Sequence, residues 1–343
     1  MHFLLVGDPS APDGGLLSRF DGFTDTSGVA HSLELNLPSL GVSFDGATPA
    51  SEYATNIYSI EYDGFTDFPK YPINFLSDLN AFLGIQTIHG HYLDFPVDGS
   101  GPSPADIAHA ILLPGSEHYA PNPDLDSLTD YYMITTLGGH DVTPPLVALL
   151  PAPLQALLGP DLTYLINLGY GDGSTGYSVD VNSPADLNTP FGLFPNVSLS
   201  DVFSHLATDT QQGITAFEAY LAAPPVMADA ATSGANFTEL LSALSTDPTA
   251  TFTELVNAIT TASSAAYSTL LPTADIINAL VTSMPAYDLS LFSANIATGD
   301  LADAFGLPIA ADTALFTLAG GFEVEVLQNA ISEITNAFSG IFQ

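Results

Sequence analysis

The segment that most constrains the fold is residues 56–92, where a strand-like run, an acidic loop, a helix and a histidine loop follow one another. β-Branched and aromatic residues in the first run favour a strand, and the apolar spacing after the loop is helical. Alternating strands and helices are typical of an α/β protein. The predicted order is a strand at 56–62, a loop at 63–69, a helix within 73–83 that stops at Gly84, a strand-like run at 85–88, and then His89.

Composition divides the chain near residue 200. Residues 1–200 mix strand-like runs with Gly/Pro turns, whereas residues 201–343 are rich in Ala, Thr, Ser and Leu and predict helices. The chain opens on a strand at residues 1–6, which suggests that part of the domain lies upstream. An apolar stripe over 324–338 predicts a helix that packs on the body of the protein. Further helices are expected near 201–222, 236–244, 251–259 and 273–283, the second and third of these starting at capping boxes.

Acidic and basic residues are severely unbalanced. The chain has 38 Asp and Glu residues, Arg19 and Lys70 as its only Arg and Lys, no cysteine, and a formal net charge of −36. Two cations cannot replace the counterions along a phosphate backbone or dock on anionic headgroups, which excludes nucleic-acid binding and electrostatic binding to anionic lipid. Without cysteine there are no disulfides, thiolate metal sites or cysteine nucleophiles.

No segment predicts a membrane span or a secretory signal. The N-terminus has no basic region and reaches an acid at Asp8. Two uncharged stretches approach membrane length, but residues 142–160 contain five prolines and residues 255–274 are too polar. The first of these stretches has two interpretations, either ordinary core packing or a cap over a lipid-binding cleft.

The best candidates for catalysis are His89 and the acidic loop that precedes it. Serine hydrolases need a histidine base and a carboxylate that fixes its tautomer, and in α/β-hydrolases the acid precedes the histidine, each in a loop after a strand. His89 lies 22 residues after Asp67, and the order fits. Asp67 is the predicted orienter with Asp63 as the alternative, and His91 competes with His89 because both would point the same way in a strand.

The nucleophile of such a site is missing from the sequence. No Gly-x-Ser-x-Gly occurs, and the similar run at 171–176 places Asp172 two residues before Ser174 and lies after the histidine. That run is better explained as a glycine-rich turn. The chain therefore offers an acid and a base without a recognisable serine.

A set of collinear motifs resembles the mycobacterial PE-PPE domain family. They lie at residues 4–9, 13–20, 46–49, 61–72, 78–81, 88–92 and 165–172, and a further match at 306–314 resembles the helical ends of such proteins. The acidic motif reads Glu61-Tyr62-Asp63-Gly64-Phe65-Thr66-Asp67-Phe68-Pro69, and the histidine motif reads Ile88-His89-Gly90-His91-Tyr92.

The resemblance implies a cutinase-like α/β-hydrolase fold with esterase or acyl-transfer activity on acyl esters. Its acid would fall in the 63–67 motif, its histidine on His89, and its serine upstream of the segment that matches Met1. The expected organisation is an N-terminally truncated hydrolase domain at 1–200, which holds only part of the α/β-hydrolase fold, followed by an Ala-rich helical region at 201–343. The implied substrate is an acyl ester or lipid, the implied location is the cell envelope or outside the cell, and no cofactor is required.

The missing strands and serine have consequences for the stability and the activity of the chain. A sheet that has lost strands exposes a strand edge and an apolar face, so the chain alone is expected to be marginally stable or dependent on a partner. Without its serine it is expected to show no esterase turnover. One alternative is a non-catalytic envelope protein that keeps the fold. The other is a calcium-dependent surface module built on an acidic turn with Asp124, Asp126 and Asp130.

Overall fold

The computed structural model describes residues 1–24, 30–31, 36–94, 101–120, 122–222 and 248–339. The chain forms two compact units. The first consists of Met1–Asn36, Ser43–Pro224 and Thr282–Leu318, and the second of Leu37–Val42, Pro225–Val281 and Ala319–Gln343. The boundary predicted at residue 200 was drawn on composition, whereas these units follow spatial proximity, and it stays a prediction.

A four-stranded sheet forms the centre of the first unit. Its order is β1 (His2–Val6), β6 (Ala54–Ile60), β8 (Thr129–Ile134) and β7 (Ile111–Leu112). The first three strands are parallel and β7 is antiparallel. The sheet is therefore mainly parallel, and together with the helices it confirms the predicted mixed α/β class.

Six short strands complete the β-structure of the residues that the structure describes. β9 (Thr136–Leu137) pairs antiparallel with β10 (His140–Asp141). The remaining strands form two two-stranded sheets, β2 (Phe23–Thr24) with β3 (Ala30–His31) and β4 (Asn36–Leu37) with β5 (Val42–Ser43).

Strand β1 differs from its neighbour in burial. Among the described strands it pairs on one side only, with β6, and Val6 lies opposite Tyr58. Leu4 and Val6 are exposed, whereas Ile57 and Ile60 of β6 are fully buried. In the described part of the chain, β1 is thus an edge strand with exposed apolar side chains, and the predicted loss of neighbouring strands stays a prediction.

Helix α2 (Phe75–Thr87) corrects the prediction of a strand at 85–88. The helix continues through Gly84, where a helix end was expected, and a 3₁₀ turn at His89–His91 follows it. Gly84 lies directly against the backbone carbonyl of Tyr62, so the missing side chain allows α2 to approach the loop after β6. Ile85 and Ile88 are buried, which explains the β-like composition of a helical segment.

The other helices of the first 222 residues are α1 (Leu16–Arg19), α3 (Pro104–Ala108), α4 (Pro145–Ala148), α5 (Ala152–Asn167) and α6 (Leu199–Ala222). Residues 142–160 are therefore mostly short and medium helices. Val142 and Val147 are buried in the main core, with Ile60, Ile134 and Ile166. Leu149 is largely exposed, so this stretch serves partly as core and partly as surface.

The C-terminal helices are α7 (Pro248–Ser268), α8 (Leu270–Asn278), α9 (Met284–Thr298) and α10 (Leu301–Ser339), with a π-helical turn at Ala279–Ser283. The helix expected to start at Thr251 begins earlier, at Pro248, and the copy at 236–244 lies outside the described residues. The stripe at 324–338 is helical, with Val324, Leu327 and Ile331 exposed and Ile334 half-buried, and the predicted packing of this stripe on the body of the protein stays a prediction.

Candidate active site

The acidic loop begins where β6 ends, at the carboxyl edge of the parallel strands. Tyr62 adopts a left-handed conformation, with φ of 66°, which turns the chain sharply. The carbonyl of Asp63 then accepts hydrogen bonds from the amides of Thr66 (3.0 Å) and Asp67 (2.7 Å). Asp63 Oδ1 accepts from the amide of Phe65 at 3.1 Å. The loop is a tight turn that holds the Asp63 carboxylate in one orientation, with no solvent exposure.

His89 lies directly opposite this carboxylate. Its Nδ1 is 2.9 Å from Asp63 Oδ2. The Asp63 side chain is fully buried and the imidazole keeps 32% of its surface exposed. A hydrogen bond from Nδ1 to a buried carboxylate places the second ring nitrogen, Nε2, as the acceptor available to a reacting group. The pair therefore has the geometry of an oriented general base.

Tyr92 braces the same carboxylate from a third direction. Its hydroxyl donates to Asp63 Oδ2 at 2.8 Å and accepts from the amide of Ile60 at 2.9 Å. Burial, followed by the neighbouring Asp63, raises the pKa of Tyr92 well above its ordinary value, so the hydroxyl stays a donor. The sequence analysis missed this role, because nothing in the motif distinguishes Tyr92 from a core aromatic residue.

Two residues enclose the imidazole. The ring of Phe65 packs edge-on against it, with ring centroids 4.7 Å apart. Gly7, at the end of β1, has φ of +64°, and a Cβ there would approach Tyr92 Cε2 to 2.8 Å and His89 Cε1 to 3.0 Å. The carboxyl end of β1 thus meets the His–Asp pair, and only a residue without a side chain fits there.

Asp67, the predicted orienter, occupies a different place. Its Oδ2 accepts from the amide of Tyr62 at 2.9 Å, and the side chain is buried. Burial raises the pKa of Asp67 well above its ordinary value, against opposing contributions from that hydrogen bond and from Arg19. The structure therefore brings together His89 and Asp63, while Asp67 supports the turn from behind. One turn separates the two acids in sequence, and the left-handed Tyr62 determines which of them faces the histidine.

The competing histidine belongs to a separate interaction. His91 Nδ1 lies 2.7 Å from Asp94 Oδ2, near the surface. The expectation that His89 and His91 would share a direction assumed a strand, but both lie in the 3₁₀ turn after α2.

A buried polar network supports the loop from below. Arg19 is fully buried, with Nη1 3.2 Å from Asp13 Oδ1, and its Nη2 donates to the carbonyl of Phe68 at 3.0 Å. The same nitrogen donates to Ser178 Oγ at 2.9 Å. Arg19, one of the two Arg and Lys residues of the chain, thus serves to hold the end of the acidic loop in place. A single arginine carries no sequence signal of this role.

Glu61 is a second unusual acid beside the site. Its Oε1 accepts from the amide of Gly176 at 2.8 Å. Burial, with a smaller contribution from Asp141, raises the pKa of Glu61 to about 7, although the hydrogen bond opposes this. Glu61 therefore titrates near neutral pH, a property that its position at the end of a strand did not suggest.

The remaining candidates do not join the site. Ser174 is exposed in a turn where its amide donates to Asp172 at 2.9 Å, as expected for a glycine-rich turn. Within the ranges described above, no serine hydroxyl is among the hydrogen-bond contacts of His89. The acids of the proposed calcium turn make separate hydrogen bonds. Asp124 accepts from a backbone amide of its own turn, and Asp130 pairs with the imidazole of His118. Among the described residues, no group of three or more His, Asp or Glu is placed to hold a metal.

Fold and site together define an α/β protein with an oriented histidine–carboxylate pair at the carboxyl edge of a mainly parallel sheet. The PE-PPE domain profile matches residues 1–171. The chain belongs to the PE-PPE domain family through this first half.

Its relatives are proteins of Mycobacterium tuberculosis. The uncharacterized PPE family protein PPE28 is 38% identical over 99% of this chain and 50% of its own length. Esterase PE16 is 40% identical over 57% of this chain and 30% of its own. The PE family protein PE3 is 38% identical over 62% of this chain and 38% of its own. The chain thus spans half or less of the length of these curated relatives. No solved structure matches it.

Proposed function

We propose that this chain carries the acid–base half of a serine esterase or acyltransferase. His89 is the general base and Asp63 is the carboxylate that orients it. The observation that carries the proposal is the 2.9 Å contact between His89 Nδ1 and the fully buried Asp63. The similarity to a protein named as an esterase, at 40% identity over part of the chain, supports the same reaction class.

Each residue has a defined part in this chemistry. His89 Nε2 takes the proton of a serine hydroxyl as that oxygen attacks the ester carbonyl, and later returns the proton to the leaving alcohol. Asp63 keeps a proton on Nδ1 and stabilises the imidazolium that forms. Tyr92 and the Phe65 amide hold Asp63 in place. The serine itself comes from outside these 343 residues.

The substrate that fits best is an ester of an apolar acyl group. A cleft of about 520 Å³ is lined by residues of the 141–163 segment, with an apolar part that includes Val142, Pro144 and Val147 and a polar part formed by Asp141, Thr143, Gln155 and Thr163. Val142 and Val147 belong to the core cluster that also includes Ile88, the residue before His89. The apolar part of such a cleft is suited to part of an acyl chain.

A paired assay tests the proposal. Hydrolysis of p-nitrophenyl acyl esters is measured for this chain and for the same chain extended upstream in its reading frame. Activity only in the extended form, lost in His89→Ala and retained in His91→Ala, would support the proposal. Turnover by the 343-residue chain, or turnover that survives His89→Ala, would contradict it.

The second candidate is a non-catalytic protein of the cell envelope that retains the fold. The observation that favours it is the lack of a Gly-x-Ser-x-Gly elbow in the sequence. A folded extended chain that is inactive on all acyl lengths and is recovered in the envelope fraction would favour this role.

A further inference from the structure

Helix α10 exposes several of its large apolar residues although it buries alanines, and only some of its large residues, such as Leu315 and Leu318, are buried with the alanines. Ala304, Ala310, Ala311 and Ala314 are fully buried. The α10 outer face, which we define as Leu301, Phe305, Ile309 and Phe316, is 55–60% exposed at each position. The steps of four, four and seven between these four residues place them on one side of the helix. Soluble proteins ordinarily bury Phe, Ile and Leu before Ala.

The buried alanine side explains how the helix is held. Small residues let a helix approach its neighbours closely, and Gly306 lies directly against the side chain of Leu193. Helix α9 contributes larger anchors, because Tyr287 and Leu291 have no exposed surface. Helix α9 and the part of α10 up to Leu318 are therefore held in the first unit by these buried residues, while the α10 outer face remains exposed.

The outer apolar surface continues onto α9. The rings of Phe292 and Phe305 pack edge-to-face with centroids 5.3 Å apart, and Leu289 is 65% exposed. By length and composition, Leu301–Ala337 is a helix long and apolar enough to cross a membrane, with a mean hydropathy of 1.3 over an 18-residue window, although the sequence analysis found no segment that predicts a span. Small residues at the helix interface with large apolar residues facing outward is the arrangement of a lipid-facing helix.

We propose that the α10 outer face binds the surface of a zwitterionic or uncharged lipid layer. Charge decides between this occupant and others. The chain carries a net charge of −36, so two copies repel each other and anionic lipid is disfavoured. The two basic residues, Arg19 and Lys70, both lie outside this helix pair. Arg19 is buried and Lys70 donates to Ser183. An apolar helix face without cations binds through buried apolar area alone.

Vesicle flotation of the full 343-residue chain tests the proposal. The probes are vesicles of pure phosphatidylcholine and of phosphatidylcholine with phosphatidylglycerol. The double variant Phe305→Ser/Ile309→Ser is compared with the control Leu199→Ser/Phe203→Ser, which removes apolar residues of α6 that are even more exposed. We expect wild type and control to float with phosphatidylcholine vesicles. The α10 variant is expected to bind these vesicles at least about tenfold more weakly, and wild type is expected to bind the vesicles with phosphatidylglycerol less than those of pure phosphatidylcholine. Circular dichroism establishes that the variants are folded.

Other results would overturn the proposal. The proposal would be wrong if wild-type protein stayed at the bottom of the gradient. It would also be wrong if the α6 control lost as much vesicle binding as the α10 variant, or if wild type bound anionic vesicles more strongly than phosphatidylcholine vesicles. Light scattering identifies the competing occupant: a dimer that Phe305→Ser/Ile309→Ser dissociates would assign this face to a second copy of the chain.

Discussion

The acidic loop at 61–67 and the helix pair α9–α10 depart from ordinary burial in opposite directions. The loop fully buries the carboxyl groups of Asp63 and Asp67 and partly buries that of Glu61, whereas the helix pair exposes bulky apolar side chains. In the loop, every buried acid accepts at least one backbone hydrogen bond, from Gly176, Phe65 or Tyr62. The α10 outer face has no comparable compensation inside the described chain. The buried acids of the loop thus find their hydrogen-bond partners within the described chain, whereas the α10 outer face has its proposed partner, a lipid layer, outside it.

The largest expected effect separates the two buried aspartates of the loop. In the catalytically competent extended chain, Asp63→Asn is expected to lower kcat by about 10³-fold or more, because His89 loses the acceptor that fixes its tautomer. Asp67→Asn is expected to stay within about threefold, because the amide oxygen can still accept from Tyr62 and burial already raises the pKa of the Asp67 carboxyl and so disfavours its charged form. Steady-state kinetics on one acyl ester measures both.

The control for this pair is thermal unfolding of each variant. If Asp67→Asn lost as much kcat as Asp63→Asn while both remained folded, the assignment of Asp63 as orienter would be wrong.

A second prediction concerns the Glu61 carboxyl and its effect on the pH dependence of stability. The pKa of Glu61 is raised to about 7 by burial, above its ordinary value of 4.5, so the folded state binds a proton more tightly than the unfolded state. The Glu61 contribution to stability is therefore most unfavourable above pH 7 and improves as the pH falls towards 4.5. Glu61→Gln removes this dependence and can still accept from Gly176.

Urea unfolding at pH 8 and pH 5 measures the effect. At pH 8 we expect Glu61→Gln to be more stable than wild type by about 2–3 kcal/mol, and at pH 5 the difference should be much smaller. Equal differences at the two pH values would show that Glu61 is not buried in the way described.

The sequence predicted the parts of this molecule that depend on local pattern. The strands at 1–6 and 56–62 and the helices at 201–222 and 273–283 came from residue type and spacing, and the structure confirms them with small shifts of their ends. The strand at 85–88 was wrong because this run is the buried end of α2, with Ile85 in the helix and Ile88 directly after it, and short apolar runs do not distinguish a strand from a buried helix. Similarly, the stripe at 324–338 indicated a helix correctly but could not indicate whether that face is covered.

The candidate site was predictable in its residues and not in its contacts. His89 and the acidic loop follow from chain order, whereas the choice of Asp63 depends on the left-handed Tyr62 and on the turn that follows it. Tyr92, Gly7 and Arg19 reach the loop from distant positions in the chain, and no single-sequence pattern connects them. Tertiary placement of this kind becomes visible only in the folded chain.

The smallest expected effect tests whether the α10 outer face contributes to the stability of the chain in water. Phe305 is 60% exposed and Phe68 is completely buried, so the same substitution has different consequences at the two positions. We expect Phe305→Ser to change the free energy of unfolding by less than about 0.5 kcal/mol, and Phe68→Ser to lower it by about 3–5 kcal/mol. Urea unfolding without lipid measures both values. A large loss in Phe305→Ser would mean that this ring belongs to the core, and the contrast between a self-sufficient loop and an uncovered helix would then fail. A negligible loss, together with weaker flotation, would mean that the side chain serves binding and contributes nothing to folding.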